Sequence, residues 1–76
     1  MKKDETLDTL GLYCPTPILY TAKKLGEMKG GQVLEILSDD EGIKKDMPAW
    51  CESTGHEFLG VEETDDQIRV YVQKRT

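Results

Sequence analysis

Apolar residues recur along the chain with two periods, and the switches between them outline the elements. Leu7 and Leu10 stand among threonines, and residues 6–10 read as a short first strand closed by Gly11. Ile18, Ala22 and Leu25 follow at i, i+4 and i+7, the spacing of one helical face. Lys23, Lys24 and Glu27 fall elsewhere on the wheel and Gly30-Gly31 supplies a stop, so a first helix is expected over 15–29. Residues 33–37 are aliphatic on both sides of a single glutamate and read as a strand with at least one buried face. Ser38-x-x-Glu41 matches a capping box, so a second helical region should follow. Pro48 suits a first turn better than a helix interior. The expectation is therefore a short turn at 41–46, Asp46 as cap, a helix over 47–54 and Gly55 as its terminator. Phe58, Leu59 and Val61 suggest a third strand, and Thr64-Asp65-Asp66 a turn. Ile68, Val70 and Val72 alternate with Arg69, Tyr71 and Gln73, the pattern of a half-buried fourth strand.

The predicted order is β-α-β-α-β-β. Each helix has an apolar stripe that only the sheet can cover, so both are expected on one face of a four-stranded mixed sheet. This is an α+β two-layer α/β sandwich. With 76 residues and 8.6 kDa, the chain is read as one domain over 1–76, loose at 1–4. A domain this small buries only about 60% of its unfolded surface, which leaves no room for a deep substrate pocket.

Charge narrows the classes of partner. Ten basic and fifteen acidic residues give a net charge of −5. The acidic clusters at 38–41, 62–63 and 65–66 argue against direct binding to a nucleic-acid backbone, which takes clustered Lys and Arg. No apolar run approaches the roughly 20 residues of a membrane helix, so no membrane insertion is expected. The charged start Met1-Lys2-Lys3-Asp4-Glu5 has no apolar region behind it, so no signal peptide and a cytoplasmic location are expected. The two cysteines, Cys14 and Cys51, are then read as reduced thiols, since a secreted domain of this size usually carries more cysteine pairs.

The chemistry centres on Cys14-Pro15-Thr16-Pro17. With Cys14 as N-cap, Pro15 falls at N1 and Pro17 at N3, positions whose N–H groups have no partner inside the helix. Two prolines there stiffen the helix start and fix where Cys14 points. The helix N-terminus carries about +0.5 elementary charge. With the Thr16 N–H free to donate, a thiolate at Cys14 is favoured. A thiolate is both nucleophile and leaving group, so it can take a sulfane sulfur and pass it on. The bland alternative is a small buried cysteine beside a helix.

The stretch from Leu7-Asp8 through Gly11-Leu12 to Cys14-Pro15-Thr16-Pro17 and Leu19 closely resembles the start of the TusA (SirA-like) sulfur-carrier family, whose pattern is L-D-x-x-G-L-x-C-P-x-P-x-L. Lys23-Lys24-Leu25, Gly30-Gly31, Asp46-Met47-Pro48-Ala49-Trp50-Cys51 and Thr54-Gly55-His56 continue the match. The family commonly has Ile at the place of Met47, another aromatic at Trp50, and Asp-Pro where this chain has Asp39-Asp40. The resemblance implies the same two-layer fold, similar to the C-terminal domain of translation initiation factor three. It implies that Cys14 carries sulfur as a covalent persulfide, with no separate cofactor, in a sulfurtransferase-type carrier rather than a stand-alone enzyme. Its implied partners are a donor, either a cysteine desulfurase or a rhodanese, and a downstream acceptor in tRNA thiolation, molybdenum-cofactor synthesis or sulfur oxidation. Some relatives accompany a thiosulfate transporter or selenium metabolism.

The other candidates have plainer readings beside their functional ones. Asp8 and Gly11 are expected to shape the turn that presents Cys14, Gly11 through its backbone angles. Cys51 reads as a core cysteine, or as a resolving thiol that would make a Cys14–Cys51 redox switch. His56 is a turn histidine, or a base if the fold brings it to Cys14. Lys23 and Lys24 are solvated surface, or steer a donor's acidic patch. No metal site is read, since the chain lacks C-x-x-C and H-x-x-x-H pairs.

Overall fold

The computed structural model describes residues 3–13 and 15–75. They form β1 (Glu5–Asp8), α1 (Thr16–Gly26), β2 (Val33–Ser38), α2 (Ile43–Thr54), β3 (Glu57–Glu63) and β4 (Ile68–Gln73). The strands make one sheet in the order β1-β2-β4-β3. β1 is parallel to β2, and the other neighbours are antiparallel. The α+β sandwich with a mixed sheet is thus as expected. Parallel neighbours cannot share a tight turn, so α1 serves as the crossover between β1 and β2.

Period-two alternation places Leu34 and Ile36 of β2 and Ile68, Val70 and Val72 of β4 on one sheet face. Against them pack Leu25 and Met28 from α1 and the turn after it, and Ile43, Met47 and Cys51 from α2. Each such side chain contributes about 1.5–3 kcal/mol of burial free energy. Leu7, Ile18, Trp50, Phe58 and Val61 close the rim of this core.

Both helices differ from expectation in detail. The N-cap of α1 is Pro15, one residue later than Cys14, and Pro17 stands at N2. The helix stops at Gly26 rather than at 29, because the N–H groups of Glu27 and Met28 tighten onto the carbonyls of Lys24 and Leu25. Gly31, at φ +88°, turns the chain into β2 instead of ending the helix. The buried stripe is Pro17, Thr21 and Leu25, while Ala22 is exposed. Thr21 is tolerated there because its hydroxyl donates to the Pro17 carbonyl at 2.8 Å.

α2 is one continuous helix from Ile43, with Pro48 inside it and Asp46 in its first turn rather than at its cap. Ile43, Met47 and Cys51 form a single stripe at i, i+4 and i+8, and a break at Asp46 would pull Ile43 out of line. Keeping two such side chains buried outweighs the roughly 3 kcal/mol of an interior proline. The capping box does not form either. The Ser38 hydroxyl accepts the Asp40 N–H at 3.1 Å, and the Asp40 carboxylate accepts the Gly42 N–H at 3.0 Å. Gly55 does terminate the helix, at φ +85°, with its N–H on the Cys51 carbonyl.

The sheet face away from the helices is polar, yet part of it is sealed. Tyr71 is 2% exposed and Glu35 3%, so β4 is buried on both faces near its centre rather than half-buried. The Tyr71 hydroxyl sits 2.7 Å from Glu35 Oε2 and 3.0 Å from Glu62 Oε1. Lys3 Nζ reaches Glu35 Oε1 at 2.7 Å. Burial alone raises the Glu35 pKa, but the Lys3 and Tyr71 hydrogen bonds outweigh it and hold the carboxyl below its usual range. Asp4, expected to be loose with Lys3, pairs with Val33 through its N–H and its carboxylate, both at 2.8 Å. At the β3 edge the pairing with β4 shifts register between Phe58 and Gly60, and Glu57, Glu62 and Glu63 face outward.

Replacing Tyr71 by Phe removes the proton between two carboxylates and leaves them facing one another. Urea denaturation of Tyr71→Phe is expected to show a loss of about 1–3 kcal/mol, and an unchanged midpoint would contradict this role.

Candidate functional site: the loop and helix start around Cys14

Cys14 itself lies outside the described residues, so the site is built from the residues on either side of it. The loop after β1 is held at each residue from Thr9 to Leu12. The Asp8 carboxylate accepts the Leu10 N–H at 2.9 Å. Thr9, fully buried, gives both its N–H and its hydroxyl to the Leu37 carbonyl, at 2.8 and 2.5 Å. Gly11 has φ +81°, a left-handed conformation that side chains rarely adopt, although nothing lies within 4 Å of where a Cβ would stand. Its requirement for glycine is thus conformational. In that conformation its N–H meets both carboxylate oxygens of Asp39 at 3.2 Å. Leu12 then bonds back to the Thr9 carbonyl at 3.1 Å.

On the far side of Cys14, the Thr16 N–H donates to the Tyr13 carbonyl at 3.0 Å. It is therefore not the free donor expected from the sequence, and Pro17 has no N–H to offer. What remains at this helix start is the macrodipole, with no acidic side chain in the first turn to offset it.

Two features of the site were not anticipated. Asp39 reads in the sequence as part of a turn, because its link to Gly11 becomes visible only once β1 and β2 are known to be parallel neighbours whose ends share one sheet edge. The second is apolar. Among the described residues, the exposed large hydrophobics are Leu10, Tyr13, Leu19 and Tyr20, at 41%, 66%, 62% and 47%. All four fall within six residues of Cys14. A clue lay in the helical wheel, where Leu19 and Tyr20 fall off the Ile18-Leu25 face. The same end of the sheet carries carboxylates, with Glu41 and Glu63 sharing Lys44 as ion-pair partner.

The remaining candidates sit elsewhere or have other partners. Lys24 pairs with Glu5 at 3.4 Å, and Lys23 is exposed. Cys51 is 1% exposed in the core, where burial pushes its thiol up to about 11, so it stays protonated at neutral pH. His56 precedes β3 at the sheet end where Glu57 pairs with Gln73, opposite the end where Ile68 pairs with Glu63 on one side and Ser38 on the other. The Thr9–Gly11 loop lies at that second end, so the fold does not bring His56 to it. Instead its ring stacks on Trp50 at 5.3 Å, and its Nδ1 accepts the Arg75 N–H at 3.1 Å. Burial, then the nearby Arg75 and Lys74 charges, hold its pKa below the usual histidine value. The unfolded chain therefore takes up this proton first. Stability contributed by a neutral His56 is full above about pH 6.5 and is lost as pH falls through the lower folded value. His56 is the sole histidine, so urea midpoints between pH 8 and 5 should fall in the wild type and fall less in His56→Gln; parallel curves would contradict this.

Among the described residues, no helix is long and apolar enough to cross a membrane. Comparison with known proteins matches residues 5–74 to the family described as sulfurtransferase TusA. The putative sulfur carrier protein YrkI of Bacillus subtilis is 42% identical over 97% of this chain and 99% of its own length. YrkF of the same organism, also named a putative sulfur carrier protein, is 45% identical, but this chain spans only 40% of it. A SirA-like protein from Desulfitobacterium hafniense superposes with a TM-score of 0.82 at 26% identity, over 96% of this chain and all of that one. Motif, fold and relatives agree: the chain belongs to the TusA (SirA-like) family of sulfur carriers.

Proposed function

We propose that this protein relays sulfane sulfur as a persulfide on Cys14. The observation that carries the reading is that the exposed large apolar side chains of the described residues gather on both sides of Cys14, beside a rigid loop and a helix start. A small solute needs no such collar, whereas a protein partner buries it on docking.

The helix macrodipole favours the Cys14 thiolate. That thiolate attacks the terminal sulfur of a donor's persulfide. A bond forms between Cys14 Sγ and that sulfur, the donor's S–S bond breaks, and the donor leaves as a thiolate. The proton on the transferred sulfur travels with it, and no external oxidant or reductant takes part. In the second half, an acceptor's nucleophile attacks the same terminal sulfur and Cys14 leaves as thiolate. The donor is a cysteine desulfurase or a rhodanese, and the acceptor is a second protein rather than a nucleic acid. Cys14 holds that sulfur covalently, and the relay calls for no separate cofactor. A reduced thiol suits the cytoplasm. The burial of Cys51 favours this relay over a Cys14–Cys51 redox switch.

Reduced protein incubated with a cysteine desulfurase and cysteine, or with a rhodanese and thiosulfate, is expected to gain about 32 Da, removed by dithiothreitol. The gain should persist in Cys51→Ser and vanish in Cys14→Ser. No gain with either donor, together with an oxidative loss of about 2 Da that needs both cysteines, would replace the relay with a disulfide switch.

A further inference from the structure

We infer that Asp39 is a positioning residue for the segment that leads into Cys14: its carboxylate accepts the N–H of the left-handed Gly11 and fixes that loop for a protein partner. The inference rests on the relay reading above, and its test can fail separately from it.

The parallel pairing of Asp8 with Leu37 brings the ends of β1 and β2 to one edge of the sheet. The chain leaving β1 is then fastened to the chain leaving β2 at two points. Thr9 holds the Leu37 carbonyl, and Gly11 holds Asp39. The first anchor is buried and belongs to the fold. The second is exposed, and it is the last fastening to another element before Cys14 among the described residues. Gly11 lacks a side chain and has open space around it, so packing does not hold its unusual backbone angle. The Leu12 N–H on the Thr9 carbonyl holds it from within the loop, and a two-oxygen acceptor at the end of β2 holds it from outside.

Removing that acceptor costs the fold little, because water can take the exposed N–H. What it releases is the fastening of the Leu10-Gly11 turn, and of the chain that follows it, to the end of β2. A small reagent reaches a thiol from many angles. A docked protein needs the sulfur at one place, and a misplacement of about 1 Å can cost a hundredfold. Asp39 therefore matters for transfer between proteins and not for intrinsic thiol reactivity.

The test uses wild type, Asp39→Ala and Asp39→Asn. It compares the rate of sulfur loading from a cysteine desulfurase with the rate of Cys14 alkylation by iodoacetamide, each over pH 6 to 9, with thermal melts to confirm folding. Asparagine keeps an oxygen for the Gly11 N–H. The expected result is loading slowed about tenfold in Asp39→Ala and restored to within about twofold in Asp39→Asn, with alkylation within about twofold throughout. Wild-type loading in Asp39→Ala, a failure of Asp39→Asn to restore it, or alkylation falling in parallel with loading would each overturn the assignment. If wild type accepts no sulfur, the relay reading fails; alkylation of Cys14 by a protein-sized maleimide then replaces loading, with the same expected pattern and the same overturning results.

Discussion

The arrangement depends on one pairing, the short parallel ladder in which Glu5 to Asp8 lie beside Leu34 to Leu37. Parallel strands demand a crossover, so the helix after β1 must run back along the sheet before β2 begins. Its first turn is thereby placed at the ends of β1 and β2. The loop that precedes Cys14, the helix start and the loop after β2 all gather there. Antiparallel pairing of the same strands would have needed only a hairpin and would have separated them.

That end of the molecule has a division of labour. Buried contacts, Thr9 on the Leu37 carbonyl and Thr21 on the Pro17 carbonyl, satisfy polar groups that the core would otherwise strand. Exposed apolar residues remain there beside them. At the opposite end, His56 lies against Trp50 and ties the segment after β4 to the end of α2. Its neighbours are structural elements of that end.

Much of this was legible in the sequence. Alternation in β4, the glycine ending α2 and the β-α-β-α-β-β order all carry local signals that survive folding. What was not legible depends on neighbours distant in sequence. Thr21 rather than Ala22 faces the core because a hydroxyl can bond its own helix. Pro48 is accepted because Ile43 and Met47 must stay on one stripe. Tyr71 is buried because Glu35 and Glu62 come to it from two other strands. Asp39 meets Gly11 across 28 residues, and no local pattern announces that contact. Even the helix start shifted by one residue, which turned the Thr16 amide from a free donor into a bonded one.

The β3 edge has a consequence for life at high concentration. An open strand edge invites a second chain to add to the sheet, and such growth ends in aggregates. Here the register shift between Phe58 and Gly60 spoils the regular ladder that an intruding strand would copy. The exposed Glu57 adds a charge that two such edges would have to bring together. The exposed apolar residues thus lie at the end of the sheet near Cys14, while the β3 flank offers an incoming strand an irregular ladder.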